Sequence, residues 1–425
     1  MSTIVLAYSG GLDTSVLLKK YVLEGQQVVA LTLDLGESDG TAGAGASAAL
    51  AEVKAKAFSL GAHDALLVDA KERFISDFAL KALRSNALYE GVYPLSAALS
   101  RPLIAALLVE TAHRYGASAV AHGCTGKGND QVRIEVAARA LDPSLATLAP
   151  LRDQPLSRPD AIRFAKEHGV PVTSTIEKPY SVDANLWGRS IEAGALEDPW
   201  VAPPEDAYAW TASIENQPAK PDYAVIDFDE GVPSFEGKWG AALVSALNHL
   251  AGMHGVGRID LVEDRVIGVK SREVYECPGS VSLICAHKAL ERLVLTRDEL
   301  RLKALLDQKY GELVYDGLWP SPLRTAIDAF NGALAPRMTG KVRLKFHHGN
   351  VVCDGSKSPF ELYDETLATY GAGDRFRHDA AAGFIALWGL PLELESRVAR
   401  GIAQPRNGTA AAPAAVSPPA PVPTS

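Results

Sequence analysis

The stretch TIVLAYSGGLDTS, Thr3 to Ser15, decides how the N-terminal half is read. Thr3 to Tyr8 is a short apolar, β-branched run of the kind that forms a buried strand. Gly10 and Gly11 follow at once. From Thr14 to Glu24 apolar residues then recur at helical spacing (Val16, Leu17, Tyr21) until Gly25, a C-cap residue. A strand that passes through two glycines into a helix can cradle phosphate. The glycines let the backbone come close, Ser9, Thr14 and Ser15 bring hydroxyls, and the free amides and positive dipole end of the helix attract an anion. No lysine stands where a Walker loop needs one, so this is a different phosphate loop.

Outward from that loop the strand–helix rhythm continues. Gln27 to Leu35, Ala65 to Ala70 and Ala117 to Gly123 read as strands; Ser47 to Leu60, Glu72 to Ser85, Ala97 to Tyr115 and Gln131 to Leu141 read as helices. Apolar strands separated by helices predict an α/β domain with a doubly wound parallel sheet, its chemistry in the loops after Tyr8 and after His122. From about Ser174 the pattern changes. Helices at Gly240 to Leu250 and Leu300 to Tyr310 are interleaved with hairpin-like strands such as Lys341 to Gly355 around a His-Gly-Asn turn, predicting a second, α+β domain. The expected division is 1–172, 173–382, a C-terminal arm at 383–403 and a tail at 404–425. Gly40 to Leu50, rich in Gly and Ala, reads as a flexible surface insertion. The 22-residue tail has six Pro, six Ala and Arg406 as its only charge, a composition that stays disordered or PPII-like.

Composition narrows the class. At 425 residues, 47% hydrophobic and 22% charged, the chain can bury a sizeable core. Its net charge of -9 argues against broad binding to nucleic acid or an anionic membrane. Cys124, Cys277, Cys285 and Cys353 form no C-x-x-C pair, so neither a disulfide framework nor a zinc knuckle is expected, and no metal site is expected from the His347-His348 pair. The start lacks a basic n-region, and the most apolar long stretch, Leu95 to Ala112, is broken by Arg101, Pro102 and Glu110. A cytoplasmic protein without membrane spans is expected.

A second loop, His122-Gly123-Cys124-Thr125-Gly126-Lys127-Gly128-Asn129-Asp130-Gln131-Val132-Arg133, also lies beyond a strand end. Its glycines suit close ligand approach. Lys127 and Arg133 beside Thr125, Asn129 and Asp130 suit a zwitterion, with cations for carboxylates and Asp130 for an ammonium. A Walker reading fails because Ala121 stands where the first Gly is needed and Gly128 where Ser or Thr is needed.

SGG-x-D-[ST]-S resembles the pyrophosphate loop of the ATP pyrophosphatase superfamily. Together with HGCTGKGNDQVRIE, YSVDANLWGRSIEAG (Tyr180 to Gly194) and HGVGRIDLVEDRVIGVKSREVYE (His254 to Glu276), it closely resembles the argininosuccinate synthase family, in that family's block order from about Ile4 to Leu392. The resemblance implies an ATP-dependent joining of citrulline and aspartate through a citrulline-adenylate, releasing AMP and pyrophosphate, with Mg2+ on the phosphates. It implies ATP contacts from Ala7, Tyr8, Ser9, Gly10, Gly11, Leu12, Asp13, Thr14 and Ser15, with Leu33 and Gly123. It implies aspartate contacts from Thr125, Asn129 and Asp130, and citrulline contacts from Tyr93, Asn129, Arg133, Ser181, Ser190, Glu263 and Tyr275. It implies a synthetase role for the second domain and a homotetramer held by the arm. By itself Asp13 fits a magnesium or loop-ordering role and an N-cap equally well.

Four positions depart from the family pattern: Leu33 on the adenine side, Ala97 and Ala98 near the citrulline carboxylate, and Ala184 in the D-E-N-L-W block. Two other readings remain open at this level. One is a tRNA-modifying enzyme that adenylates a base through the same loop, although the basic surface and paired cysteines it would use are lacking. The other is a nucleotide-binding regulator that no longer turns over. Cys124 is not expected to act as a nucleophile, and Gly43 to Ala48 is a chance match to a dinucleotide fingerprint.

Overall fold

A computed structural model describes residues 2–36, 44–171 and 180–402. The N-terminal part runs β1 (Thr3–Ala7), α1 (Leu12–Leu23), β2 (Gln27–Asp34), α2 (Ala44–Ser59), β3 (Asp64–Asp69), α3 (Lys71–Phe74), a π-turn at Ile75–Ala79, α4 (Leu80–Arg84), α5 (Ser96–Tyr115), β4 (Ala119–Ala121), α6 (Asp130–Leu141), β5 (Ala146–Leu148), α7 (Pro150–Asp153) and α8 (Arg158–Glu167). The five strands pair in parallel in the order β3-β2-β1-β4-β5. Side chains alternate between two cores. Ile4, Leu6, Val28 and Ala30 pack with Val16, Leu17 and Leu18 of α1 and Ala161 and Ala165 of α8. Val5, Val29 and Leu31 pack on the other face with Phe74, Leu99 and Leu103. Each such aliphatic or aromatic side chain contributes about 1.5–3 kcal/mol on burial, so only a layered arrangement uses both faces of strands this apolar. The sheet order reverses between β1 and β4, opening a crevice at their carboxyl ends.

The next elements are β6 (Ser181–Asn185), β7 (Gly188–Glu192), β8 (Asp222–Asp229), β9 (Val232–Ser234), α9 (Gly240–Met253), β10 (Arg258–Asp264), β11 (Lys270–Glu276), α10 (Pro278–Val294), α11 (Arg297–Tyr315), α12 (Pro322–Leu334), β12 (Gly340–His347) and β13 (Asn350–Lys357). They build two antiparallel sheets, β10-β11-β7-β6 and β13-β12-β8-β9. Among the described residues, one compact unit ends at Leu362 and a second begins at Tyr363. The second unit contains α13 (Glu365–Ala368) and α14 (His378–Ala399), and α14 exposes Phe384, Ile385, Leu387 and Trp388.

The helix expected at Glu72 to Ser85 is interrupted by the π-turn. The Gly/Ala-rich stretch is not a loop from Ala44 onward: it starts α2, because alanine is the strongest helix former and only Gly45 opposes it there. Its Gly40 to Gly43 part lies outside the described residues, as does the 404–425 tail. The helix that carries the expected arm begins earlier, at His378, and continues through Pro391. Strand β5 and helices α8, α10 and α12 were not read from the sequence.

Candidate functional site

Two cavities meet at the sheet crevice. The larger, about 540 Å³, lies over β1, β2 and β4 and is lined by Ala7, Tyr8, Ser9, Thr14, Leu33 and Gly123 among the residues expected at ATP. Gly10, Gly11, Leu12, Asp13 and Ser15 are not in its lining; they form the turn and the start of α1 behind it. Gly10 has φ +76°, and a Cβ there would come within 2.8 Å of Val53 Cγ2, so the turn needs glycine. Tyr8 Oη and Ser15 Oγ lie 3.1 Å apart, and Ser9 Oγ and Thr14 Oγ1 also 3.1 Å apart, fixing the hydroxyls of the turn. The N-cap of α1 is Gly11, with no side-chain cap, while Asp13 sits exposed in the first turn. The N-cap reading of Asp13 is thereby corrected, and the first amides of the helix stay free for an anion.

Sequence reading found no lysine for this loop, yet the tertiary structure supplies one. Lys56 of α2 donates to the Gly10 carbonyl at 2.8 Å, and burial lowers its ammonium below its ordinary value. Ala49 and Leu50, from the stretch read as an insertion, also line the cavity.

The smaller cavity, about 100 Å³, gathers Tyr93, Asn129, Asp130, Arg133, Ser190, Glu263 and Tyr275. Strand register explains this convergence. Asp183 lies opposite Ser190, and Ser190 opposite Tyr275, so three adjacent strands present their side chains on one face. On that face β11 also carries Ser271, which lies opposite Glu263 of β10. The β6–β7 hairpin is pinned beside the start of α5: Asn185 Nδ2 donates to the Ser96 carbonyl at 2.9 Å and Trp187 Nε1 to the Pro94 carbonyl at 3.0 Å. Ala97 lines this cavity and gives its amide to Tyr93 Oη at 3.0 Å.

Charge is arranged for a zwitterion. Tyr275 Oη donates to Glu263 Oε2 at 2.6 Å and Tyr315 Oη to Glu263 Oε1 at 2.5 Å. Burial nevertheless raises that carboxyl above its ordinary value. Arg133 is 4% exposed, donates through Nε to the Tyr315 carbonyl at 2.8 Å, and has a buried Nη2 with no hydrogen-bond partner among the described residues. A buried guanidinium nitrogen left open costs free energy unless a ligand oxygen meets it. Asn129 accepts from the Val266 amide at 2.9 Å and donates to Tyr315 Oη at 3.0 Å.

Two expected residues stand apart. Ser181 is on the same sheet face, two residues before Asp183, but lies exposed at the strand end and lines neither cavity. Thr125 is exposed in its loop and lines neither cavity; its carbonyl accepts from the Gly128 amide at 3.2 Å. Sequence reading missed Tyr315, Arg265, Glu192 and Glu273 in the smaller cavity, Arg101 in the larger and Asp183 in both. A lone arginine within the otherwise apolar Leu95 to Val109 run was the one local signal. Tyr315 ends a long helix and carries none.

At the junction Asp130 and Asp183 line both cavities. Arg101 Nη2 bonds Asp130 Oδ2 at 2.7 Å and also Asp183 Oδ2, while Arg133 Nη1 bonds Asp130 Oδ1 at 3.1 Å. Burial works to raise the Asp130 carboxyl, but the two guanidiniums outweigh it and hold it well below the usual carboxylate range. Cys124 lines the larger cavity, and burial pushes its thiol up to about 12.

Residues 3–171 match the model of the arginosuccinate synthase N-terminal HUP domain, and residues 180–395 that of the arginosuccinate synthase C-terminal domain. The chain belongs to the argininosuccinate synthase family. The family's enzyme from Geobacillus kaustophilus is 53% identical over 398 residues, covering 93% of this chain and 96% of that one. That of Bacillus thuringiensis is 51% identical over 93% of this chain and 97% of its own. A solved 4-thiouridine synthetase–RNA complex with bound ATP is more distant, with TM-score 0.29 and 19% identity over 40% of this chain and 41% of that one. As a member of the argininosuccinate synthase family, the chain is an ATP-using ligase that forms a C–N bond in arginine biosynthesis. No helix among the described residues is long and apolar enough to cross a membrane.

Proposed function

We propose that this chain joins citrulline to aspartate at the expense of ATP, in the cytoplasm and as a homotetramer. The observation that carries the reading is the shared wall: a nucleotide-sized cavity over the glycine turn opens beside a small zwitterion cavity, with Asp130 and Asp183 common to both. ATP occupies the larger cavity, its phosphates toward the Ser9–Ser15 turn. Citrulline's carboxylate meets the open Nη2 of Arg133, and its ammonium faces Glu263. Held this way, the ureido oxygen attacks the α-phosphorus of ATP. Aspartate, bound by Asn129, Asp130 and Thr125, then displaces AMP. Thr125 lines neither cavity, so its part requires the loop to close on the ligand. Positioning and fixed charge supply most of such catalysis.

Magnesium would neutralise the β- and γ-phosphates. Asp13, exposed in the first turn of α1, is the loop carboxylate that would help hold that ion. The exposed apolar side of α14 supports the oligomer reading. Purified protein incubated with ATP, magnesium, citrulline and aspartate is expected to yield argininosuccinate and pyrophosphate together. No product with both amino acids present overturns the proposal.

A further inference from the structure

Forming the C–N bond needs a nucleophile that resting aspartate lacks. Its α-nitrogen is an ammonium near neutral pH and has no lone pair until a proton leaves. The two carboxylates at the junction are unequal candidates for taking that proton. Asp130 is bonded by both Arg101 and Arg133, and those cations keep it a weak base. Asp183 has one hydrogen-bond partner for its carboxylate among the described residues, Arg101 Nη2, and it lines both cavities. The neighbouring Ser190 hydroxyl bonds the Asp183 carbonyl at 3.3 Å, not its carboxylate. Burial, reinforced by the like charge of Asp130, raises the Asp183 carboxyl despite Arg101. The charged or titratable groups facing it are Arg101 from α5, Asp130 and Arg133 from α6, and the Cys124 thiol from the loop before α6. Paired carboxyls driven apart by their surroundings divide acid and base work in this way.

We propose that Asp183 is the proton acceptor for the α-ammonium of aspartate in the condensation step, with Arg101 as the positioning residue that holds Asp183 beside Asp130. This rests on the function proposed above. One ammonium proton passes to an Asp183 oxygen. The freed lone pair forms the bond to the adenylated ureido carbon, and the C–O bond to AMP breaks with its electron pair on the phosphate oxygen. The second proton of the attacking nitrogen leaves to that phosphate, and Asp183 returns its own proton to solvent through the open cavity. Asp183 has no part in the first half-reaction, because the ureido oxygen attacks without prior loss of a proton.

The test separates the two half-reactions in Asp183→Asn and Asp183→Glu. Citrulline-dependent exchange of pyrophosphate into ATP is expected to persist in Asp183→Asn and to fall at least about tenfold less than condensation does, which also shows that the variant is folded. Argininosuccinate formation is expected to fall by about 10²–10³-fold in kcat. The acidic limb of its pH profile is expected to disappear, and Asp183→Glu to recover part of the rate and the limb. Equal loss in both half-reactions, or near-parental condensation with the acidic limb intact, overturns the proposal. If the parent enzyme makes no argininosuccinate, the functional reading fails instead.

Discussion

The Arg133 guanidinium lies over the Tyr315 ring, 4.6 Å from its centroid, while its Nε donates to the Tyr315 carbonyl at 2.8 Å. One residue at the end of α11 thus holds the buried cation of the smaller cavity from two directions. Its hydroxyl also donates to the carboxylate of the same cavity, Glu263.

Tyr315→Phe keeps the ring under Arg133 but removes the hydroxyl that serves Glu263 and Asn129. A hydrogen bond to a buried charged group is worth about 1.5–3 kcal/mol. The expected result is a citrulline KM raised about 10–100-fold with the ATP KM within twofold, measured by steady-state kinetics. An unchanged citrulline KM would place citrulline elsewhere.

Gly10→Ala meets two obstacles, a positive φ of +76° and a Cβ 2.8 Å from Val53 Cγ2. The left-handed backbone alone costs a side chain about 1–2 kcal/mol. The ATP KM is expected to rise at least 10-fold while the citrulline KM holds. Adding Val53→Ala removes the clash and leaves the backbone cost, so recovery should be partial; full recovery would show that the turn tolerates the φ strain.

Cys124 tests whether a thiol at the nucleotide cavity takes part in chemistry. With its thiol pushed up to about 12, about one molecule in 10⁴ is thiolate at pH 8. Iodoacetamide at pH 8 is expected to label the exposed Cys353 and spare Cys124, with activity retained. Rapid inactivation that maps to Cys124 by peptide mass spectrometry would contradict this.

Glu299 sets a pH dependence far from the site. Two hydrogen bonds from Arg337, and further ones from the Thr296 cap of α11, hold its carboxyl at about 2, below the ordinary 4.5. A carboxyl lowered on folding stabilises the fold fully above its unfolded value, and that stabilisation drains away as pH falls from 4.5 toward 2. Because the pair is partly solvated, about 1 kcal/mol is expected, the worth of a good cap. Glu299→Gln should lower the urea midpoint at pH 7 and leave it nearly unchanged near pH 2. Equal losses at both values would point to packing instead of charge.

The sheet was legible because its strands are local objects. TIVLAY, QVVALTLDL and ALLVDA each declare themselves by short apolar runs between glycines or helices, and their observed ends differ from the expected ones by about a residue. Helices α10 and α12 were missed although each starts at a proline, and α12 is announced by the Ser321-Pro322 pair whose serine caps it. Of the stretch read as an insertion, Ser47 to Leu50 had also been assigned to a helix; only Ala44 to Ala46 were left out of it, because composition was weighed above the helix propensity of alanine.

For the site, the residues alone point to the two glycine loops, since a phosphate cradle and a zwitterion loop are each made by a few consecutive residues, whereas Tyr93, Ser190, Glu263 and Tyr275 were named only through the family resemblance. Tertiary structure alone decided the rest. Lys56 reaches Gly10 from 46 positions away, and Tyr315 reaches Glu263 across 52. Arg101 joins Asp130 and Asp183 from three separate elements. A hydrogen bond depends on a few ångströms of space and an angle, and no spacing along the chain encodes either until helices and strands have packed.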